Sequence, residues 1–291
     1  MAIRTPEDID FSTFPDSDGQ PMAETHANAV QMVDLQWTLQ TLFARQGRAA
    51  TTAVGGNQFV YYNPSNGRDN ISPDVYVIFD RPPPVPPKWQ TWVEGKFPDI
   101  VFEITSPSTE AQDLSVARGG KRRLYAEQGA REYYIYDPQQ VMVPPLLGYE
   151  SRGDRMEPLS ALPSGGVWSP LLGVELRPLA MPETQRRPAG VWLRVIDPWT
   201  GRPIPIAEEE HDELQAARQQ LTAEERARLI AERRAVAEEQ ARLAADQARL
   251  AADQRAQRAE AELQALRAAL TGQKDTVVHR LEADAPGDDD V

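Results

Sequence analysis

Between Pro205 and Gly272 the chain contains neither proline nor glycine, and its composition narrows to Ala, Glu, Arg, Gln and Leu. Such a window is a long helix by propensity alone. At about 1.5 Å per residue, residues 207–270 extend roughly 95 Å, too far to fold back on a small core as one rod. For 291 residues, one globular domain plus an extension fits better than two small domains. Leu214 and Leu221 are seven apart, Leu229 follows after eight, and Val236, Leu243 and Leu250 continue at sevens; ARLAADQ occurs twice in tandem from Ala241. That is a heptad signal. Neighbouring seam positions are Ala, Gln or Asp, so two readings stay open: a weak coiled coil, or a solvated single helix laced by Glu and Arg pairs.

Four segments are expected. Residues 1–19 are a polar, acidic, flexible lead-in, 20–206 the folded domain, 207–270 the helical arm, and 271–291 an acidic disordered tail. The formal charge of −13 divides unevenly among them: residues 19–206 hold 18 basic and 19 acidic groups, so the acidity lies mostly in the termini and the arm. A near-neutral domain is compatible with a basic groove. The 291 residues include no cysteine, which excludes disulfides, thiolate zinc sites and cysteine nucleophiles. With no apolar leader and no apolar run of membrane-spanning length, a cytoplasmic protein without membrane contact is expected.

Within the domain, Met22 to Gln46 reads as a first core helix, with apolar residues at Ala29, Val30, Val33, Trp37, Leu39 and Phe43 and Gly47 as a stop. Phe59–Tyr62 reads as a strand, Asn63–Gly67 as a turn, and Asp74–Phe79 as the hairpin partner. In the proline-rich loop from Arg81 to Lys96, Trp89 and Trp92 are placed either to stack on a base or to clamp the loop to the surface. The stretch from Phe97 to Asp137 concentrates the chemistry. Period two puts Ile100, Phe102 and Ile104 on one face of a strand, and Asp99, Val101, Glu103 and Thr105 on the other. Pro107 ends that strand. A helix follows from about Lys121 to Gln128, stopped by Gly129, with Lys121 and Tyr125 on one face at i, i+4 spacing. Glu132–Asp137 then reads as a further buried strand, and residues 139–206 as short strands and turns.

Four ordered motifs, SPDVYVIFD (Ser72–Asp80), PDIVFEITSPST (Pro98–Thr109), KRRLYAEQGAREYYIYDP (Lys121–Pro138) and WSPLLGVELR (Trp168–Arg177), resemble the Uma-two-type bacterial family of putative restriction endonucleases, within the PD-(D/E)XK nuclease superfamily. The resemblance covers roughly residues 20–206. It implies an α/β fold: a restriction-endonuclease-like core, a mixed sheet flanked by helices, here followed by the long C-terminal helix. It also implies a divalent-metal-dependent DNA endonuclease. In the superfamily pattern a carboxylate after a proline opens one strand, a second lies on the next, and a lysine stands two residues beyond it. Asp74 matches the first and Glu103 the second, while the usual lysine position holds Thr105. Lys121 matches the lysine that much of the family carries on the following helix.

The resemblance thus assigns Asp74 and Glu103 to Mg²⁺ or Mn²⁺ and Lys121 to the attacking water or the phosphate. Asp113 stands eight residues ahead of Lys121 with Gly119-Gly120 between, whereas the family places an acid one helical turn ahead, so Asp113 is left without a role. His26, beside Glu24, is open to two readings, a satisfied polar histidine or an active-site contact. Asp99 and Tyr125 are further accessory candidates. Phosphate-binding loops, nucleophile elbows and His-Glu-x-x-His motifs are absent from the sequence. Two functions of different classes therefore stand: a DNA endonuclease dimerised through its arm, and an inactive nuclease fold that serves as an interaction module.

Overall fold

A computed structural model describes residues 26–107 and 109–283, with side chains to 269. The expected lead-in, Glu24 and the last residues of the expected tail lie outside the described residues. The chain divides into two compact units, one up to Glu213 and one from Leu214 onward. The first unit opens with α1 (His26–Arg45), β1 (Thr52–Gly55), β2 (Val60–Tyr61), β3 (Asn70–Ile71), β4 (Val75–Phe79), β5 (Trp89–Gln90) and the single turn α2 (Thr91–Glu94). Then follow β6 (Ile100–Ile104), α3 (Glu110–Leu114), α4 (Lys121–Gln128), β7 (Glu132–Tyr136), β8 (Leu146–Arg152) and β9 (Arg155–Pro158). β10 (Val167–Ser169), β11 (Val174–Met181) and β12 (Gly190–Ile196) complete the strands, and α5 spans Ala207–Ala283.

The main sheet has the order β1-β4-β6-β7-β8-β9. Only β6 and β7 run parallel, joined by the α3–α4 crossover, so the sheet is mixed. Alternation along its central strands divides the interior in two. Val75, Val77, Phe79, Ile100, Phe102 and Ile104 face a core shared with α1 and with the separate β10-β11-β12 sheet. Tyr76, Ile78, Val101, Tyr133 and Ile135 face a second core with Tyr125 and Ala126 of α4. The fold is the expected mixed α/β core with a long C-terminal helix.

Two local expectations change. The Asn63–Gly67 turn exists, held by Asn63 and Asn66 amides donating to Asp69 at 2.7 and 2.9 Å. It returns the chain into β3, however, and β4 takes β1 as its antiparallel partner instead of the Phe59–Tyr62 strand. The inward face of α1 is also rotated from the apolar one read in the sequence: Val33 and Trp37 are 63% and 39% exposed, while Asn28, Gln31 and Thr38 are buried. Gln31 explains the rotation. It donates to the Leu193 carbonyl at 3.2 Å and accepts from the Leu193 N–H at 2.8 Å, replacing a strand partner at the β12 edge. Trp89 is fully buried with its indole N–H on the Lys96 carbonyl at 2.8 Å, so it clamps the proline-rich loop.

The arm helix runs through Gly272 to Ala283, beyond residue 270. Its Leu214, Leu221, Leu229, Val236, Leu243 and Leu250 are all exposed. No helix among the described residues is long and apolar enough to cross a membrane.

Candidate active site

β4 and β6 pair antiparallel with Val75 opposite Phe102, and one step further along this register Asp74 meets Glu103. Residues directly opposite in such a pair project to the same side. By alternation that is the side of Tyr76 and Val101, the face covered by α4. Asp74 Oδ2 accepts the Ile104 N–H at 2.6 Å, which ties the start of β4 to the end of β6. Pro73 cannot donate to the ladder, so the strand begins only after it, at Val75, and Asp74 stands at its mouth.

α4 is set by aromatic packing. Tyr125 lies with its ring centroid 4.9 Å from that of Tyr133 and 6.0 Å from that of Phe97, and Tyr133 stacks on Tyr149. The Arg122 guanidinium covers Tyr149 at 4.1 Å. Gly129, at φ 90°, caps the helix by donating to the Ala126 and Tyr125 carbonyls. These contacts turn the i, i+4 pair of Lys121 and Tyr125 onto Glu103. Lys121 Nζ lies 2.8 Å from Glu103 Oε2, and the Tyr125 hydroxyl donates to Glu103 Oε1.

Lys121 Nζ also lies 2.9 Å from Asp113 Oδ1. Asp113 is therefore part of the cluster, which corrects the sequence reading. α3 is a single turn and not a continuation of α4; Gly119, at φ 90°, and Gly120 fold the chain back between them. A Cβ at Gly120 would collide with the Ser115 carbonyl, so the return requires glycine. The Tyr133 hydroxyl donates to the Asp113 carbonyl at 3.1 Å and anchors the turn.

Electrostatically the cluster is acidic and closed. Burial pushes the Glu103 carboxyl up to about 8; Lys121 opposes this, and the neighbouring charges of Asp74 and Asp113 add to it. Burial works against the Lys121 ammonium, but Glu103 and Asp113 outweigh it and hold its pKa above the ordinary value. The Tyr125 hydroxyl is raised by burial and by Glu103, so it stays a donor.

Other candidates fall elsewhere. Asp99 sits four residues before Glu103, about 13 Å along the strand at ~3.3 Å per residue. There it accepts the Phe79 N–H at 2.8 Å and pairs with Lys96 at 2.6 Å and Arg131 at 3.7 Å, closing the far end of the strand. His26 is exposed on α1, across the sheet from α4, with Nε2 3.1 Å from the Arg186 carbonyl oxygen. The basic run Lys121-Arg122-Arg123 is largely spent: Lys121 is inside the site, Arg122 donates to the Met156 carbonyl at 2.8 Å, and Arg123 pairs with Glu127 at 2.6 Å.

Among the described residues no three His, Cys, Asp or Glu side chains group as a metal cage. Asp74 and Glu103 still suit Mg²⁺, which keeps most of its waters and is commonly held by one or two carboxylates plus substrate oxygens.

The family model described as Uma2, putative restriction endonuclease, matches residues 16–181. That is more than half of the chain, and the chain belongs to this family. No curated protein matches it.

Proposed function

We propose that this member of the Uma2 family is a divalent-metal-dependent endonuclease that hydrolyses phosphodiester bonds in DNA, with Asp74, Glu103 and Lys121 as its site. One observation carries the reading: carboxylates from two neighbouring strands and an ammonium from the next helix share one end of the sheet, with Lys121 2.8 Å from Glu103. Mg²⁺ or Mn²⁺, when bound, would lower the pKa of a water and neutralise charge on the phosphate. Asp74 and Glu103 would hold the cation. Tyr125 fixes the rotamer of Glu103, and Asp113 positions Lys121, whose third N–H donates to a non-bridging phosphate oxygen. The arm pairs two such domains as a cytoplasmic homodimer and so brings two sites together.

Calorimetric titration of Mn²⁺ and Mg²⁺ tests this. The wild type is expected to give binding heats that vanish in the double variant Asp74→Asn, Glu103→Gln, together with cleavage of DNA. Heats unchanged in the variant sink the assignment. A second reading is an inactive nuclease fold that works as an interaction module through its arm. It is favoured by one feature: both Glu103 oxygens already have partners, Tyr125 and Lys121. A wild type that gives no heat and no cleavage selects it.

A further inference from the structure

A cleft of about 510 Å³ opens beside Lys121, between the β2–β3 hairpin and the start of α4. Tyr62 and Ile71 form one wall, and Arg118 and Leu124 the other. The Lys121 side chain is 16% exposed and that of Glu103 2%, so a phosphate reaches the ammonium only by descending into a recess. The cleft has the size of a pocket for one small molecule, roughly 300–1,000 Å³. It admits one or two nucleotides of a strand. A duplex, whose phosphates ride on a wide rod with the bases stacked inside, does not enter it.

The walls suit an unpaired strand. Tyr62 is half-buried and lines the cleft, and burial together with Asp69 raises its hydroxyl, so it offers a neutral aromatic ring. Of the two acids in the lining, Asp69 is held by the amides of Asn63 and Asn66, and Glu127 by Arg123 at 2.6 Å. Arg118 is exposed at the rim and makes no ion pair with any described residue. Gly119, at φ 90°, bends the chain so that Arg118 and Lys121 line the same cleft.

We infer that the cleft binds single-stranded nucleic acid, with a backbone phosphate on Arg118, a base stacked on Tyr62 and the following phosphate delivered to Lys121. The substrate class is then DNA with an unpaired segment, such as a flap, overhang or single strand, in preference to intact duplex. The role of Lys121 rests on the nuclease reading, whereas the binding does not.

The test is fluorescence anisotropy with the full chain in metal-free buffer, where nothing is cut. Its probes are a short labelled DNA strand, its blunt duplex, and the RNA strand of the same sequence. The DNA strand is expected to bind at least ~10-fold tighter than the duplex, and Tyr62→Ala to weaken strand binding by about five- to 150-fold without changing duplex binding. Tyr62→Phe restores it. Arg118→Ala lowers the salt slope by about one. The inference is overturned if the duplex binds as tightly as the strand, if both alanine variants are silent, or if no probe binds. Tighter RNA than DNA binding keeps the cleft and overturns the DNA assignment. Strand binding of this pattern without cleavage of any DNA in Mg²⁺ or Mn²⁺ overturns the nuclease reading alone.

Discussion

Asp113 Oδ1 lies 2.9 Å from Lys121 Nζ although the two residues belong to separate helices joined through Gly119 and Gly120. Lys121 is thus gripped from the strand by Glu103 and from the crossover by Asp113. Asp113→Asn keeps the shape and removes one charge. It is expected to lower stability by about 1–3 kcal/mol in urea titrations, because a largely buried ammonium loses the counter-charge of Asp113. Any cleavage rate should fall with it, through loss of the position of Lys121. A variant with wild-type stability would show that Glu103 alone holds the lysine.

Lys121 itself separates chemistry from binding. If its ammonium acts on developing phosphate charge, Lys121→Ala should cut the cleavage rate by about 10²–10³ while DNA affinity changes little. An equal loss of affinity and rate, with a shallower salt dependence, would make it an ordinary phosphate contact.

Glu103 supplies a pH dependence. Its folded pKa is raised to about 8, above its ordinary 4.5, so between these values the folded protein holds a proton that the unfolded chain has lost. The folded state binds more protons in that window, and stability falls as pH rises through it. Below it both states are protonated, and above it both are ionised. Lys121 has a folded pKa above its ordinary value, so its contribution is intact throughout this window and is lost only at higher pH. Denaturation of the metal-free protein should therefore show stability declining by an order of a few kcal/mol from mildly acidic to mildly alkaline pH. Glu103→Gln should flatten that decline. A slope unchanged in the variant would place the titration elsewhere.

The elements that hold this site were legible where local chemistry and tertiary demand agree. β6 reads by alternation because its two faces meet different partners, and α4 ends at Gly129 because the cap needs a left-handed residue. The sequence reading fails where a polar group does structural work. Gln31 looks solvent-facing in any apolar count, yet it is buried against the β12 backbone and turns Val33 and Trp37 outward. β1 is a four-residue TAVG run that carries no strong strand signal, and only its register against β4 reveals it. Asp113 was missed because sequence spacing assumes one helix. The adjacent glycines Gly119 and Gly120, which break a helix, were the available clue.

The first turn of α5 belongs to the folded unit. Arg194 is buried and forks onto Glu209 at 2.7 and 2.9 Å, and buried Arg187 pairs with Asp34 and lies 3.8 Å from Glu208. A chain ending at residue 206 leaves both guanidiniums short of a carboxylate, whereas one ending at Glu213 keeps them paired. The shorter form is expected to be less stable by about 3–5 kcal/mol in denaturant titrations. Equal stability would mean that solvent replaces Glu208 and Glu209 without cost.

The chain ending at Glu213 is then the right control for the arm. Leu214, Leu221, Leu229, Val236, Leu243 and Leu250 form an exposed file with close to heptad spacing, and two-stranded pairing buries such a file. Most heptads offer one large apolar side chain, with Gln240, Gln247 and the acids Glu239 and Asp246 among the neighbouring positions, so the burial per turn is small. Association should accordingly be weak and concentration dependent. Light scattering on the full chain is expected to climb with concentration from 32.4 kDa towards twice that mass, while the form ending at Glu213 stays at its monomer mass. Replacing Leu229 and Leu243 by Gln should hold the full chain at the monomer mass without loss of helix by circular dichroism. A truncated form that remains dimeric would move the contact to the globular surface. A full chain that stays monomeric at the highest concentrations would make α5 a solvated single helix.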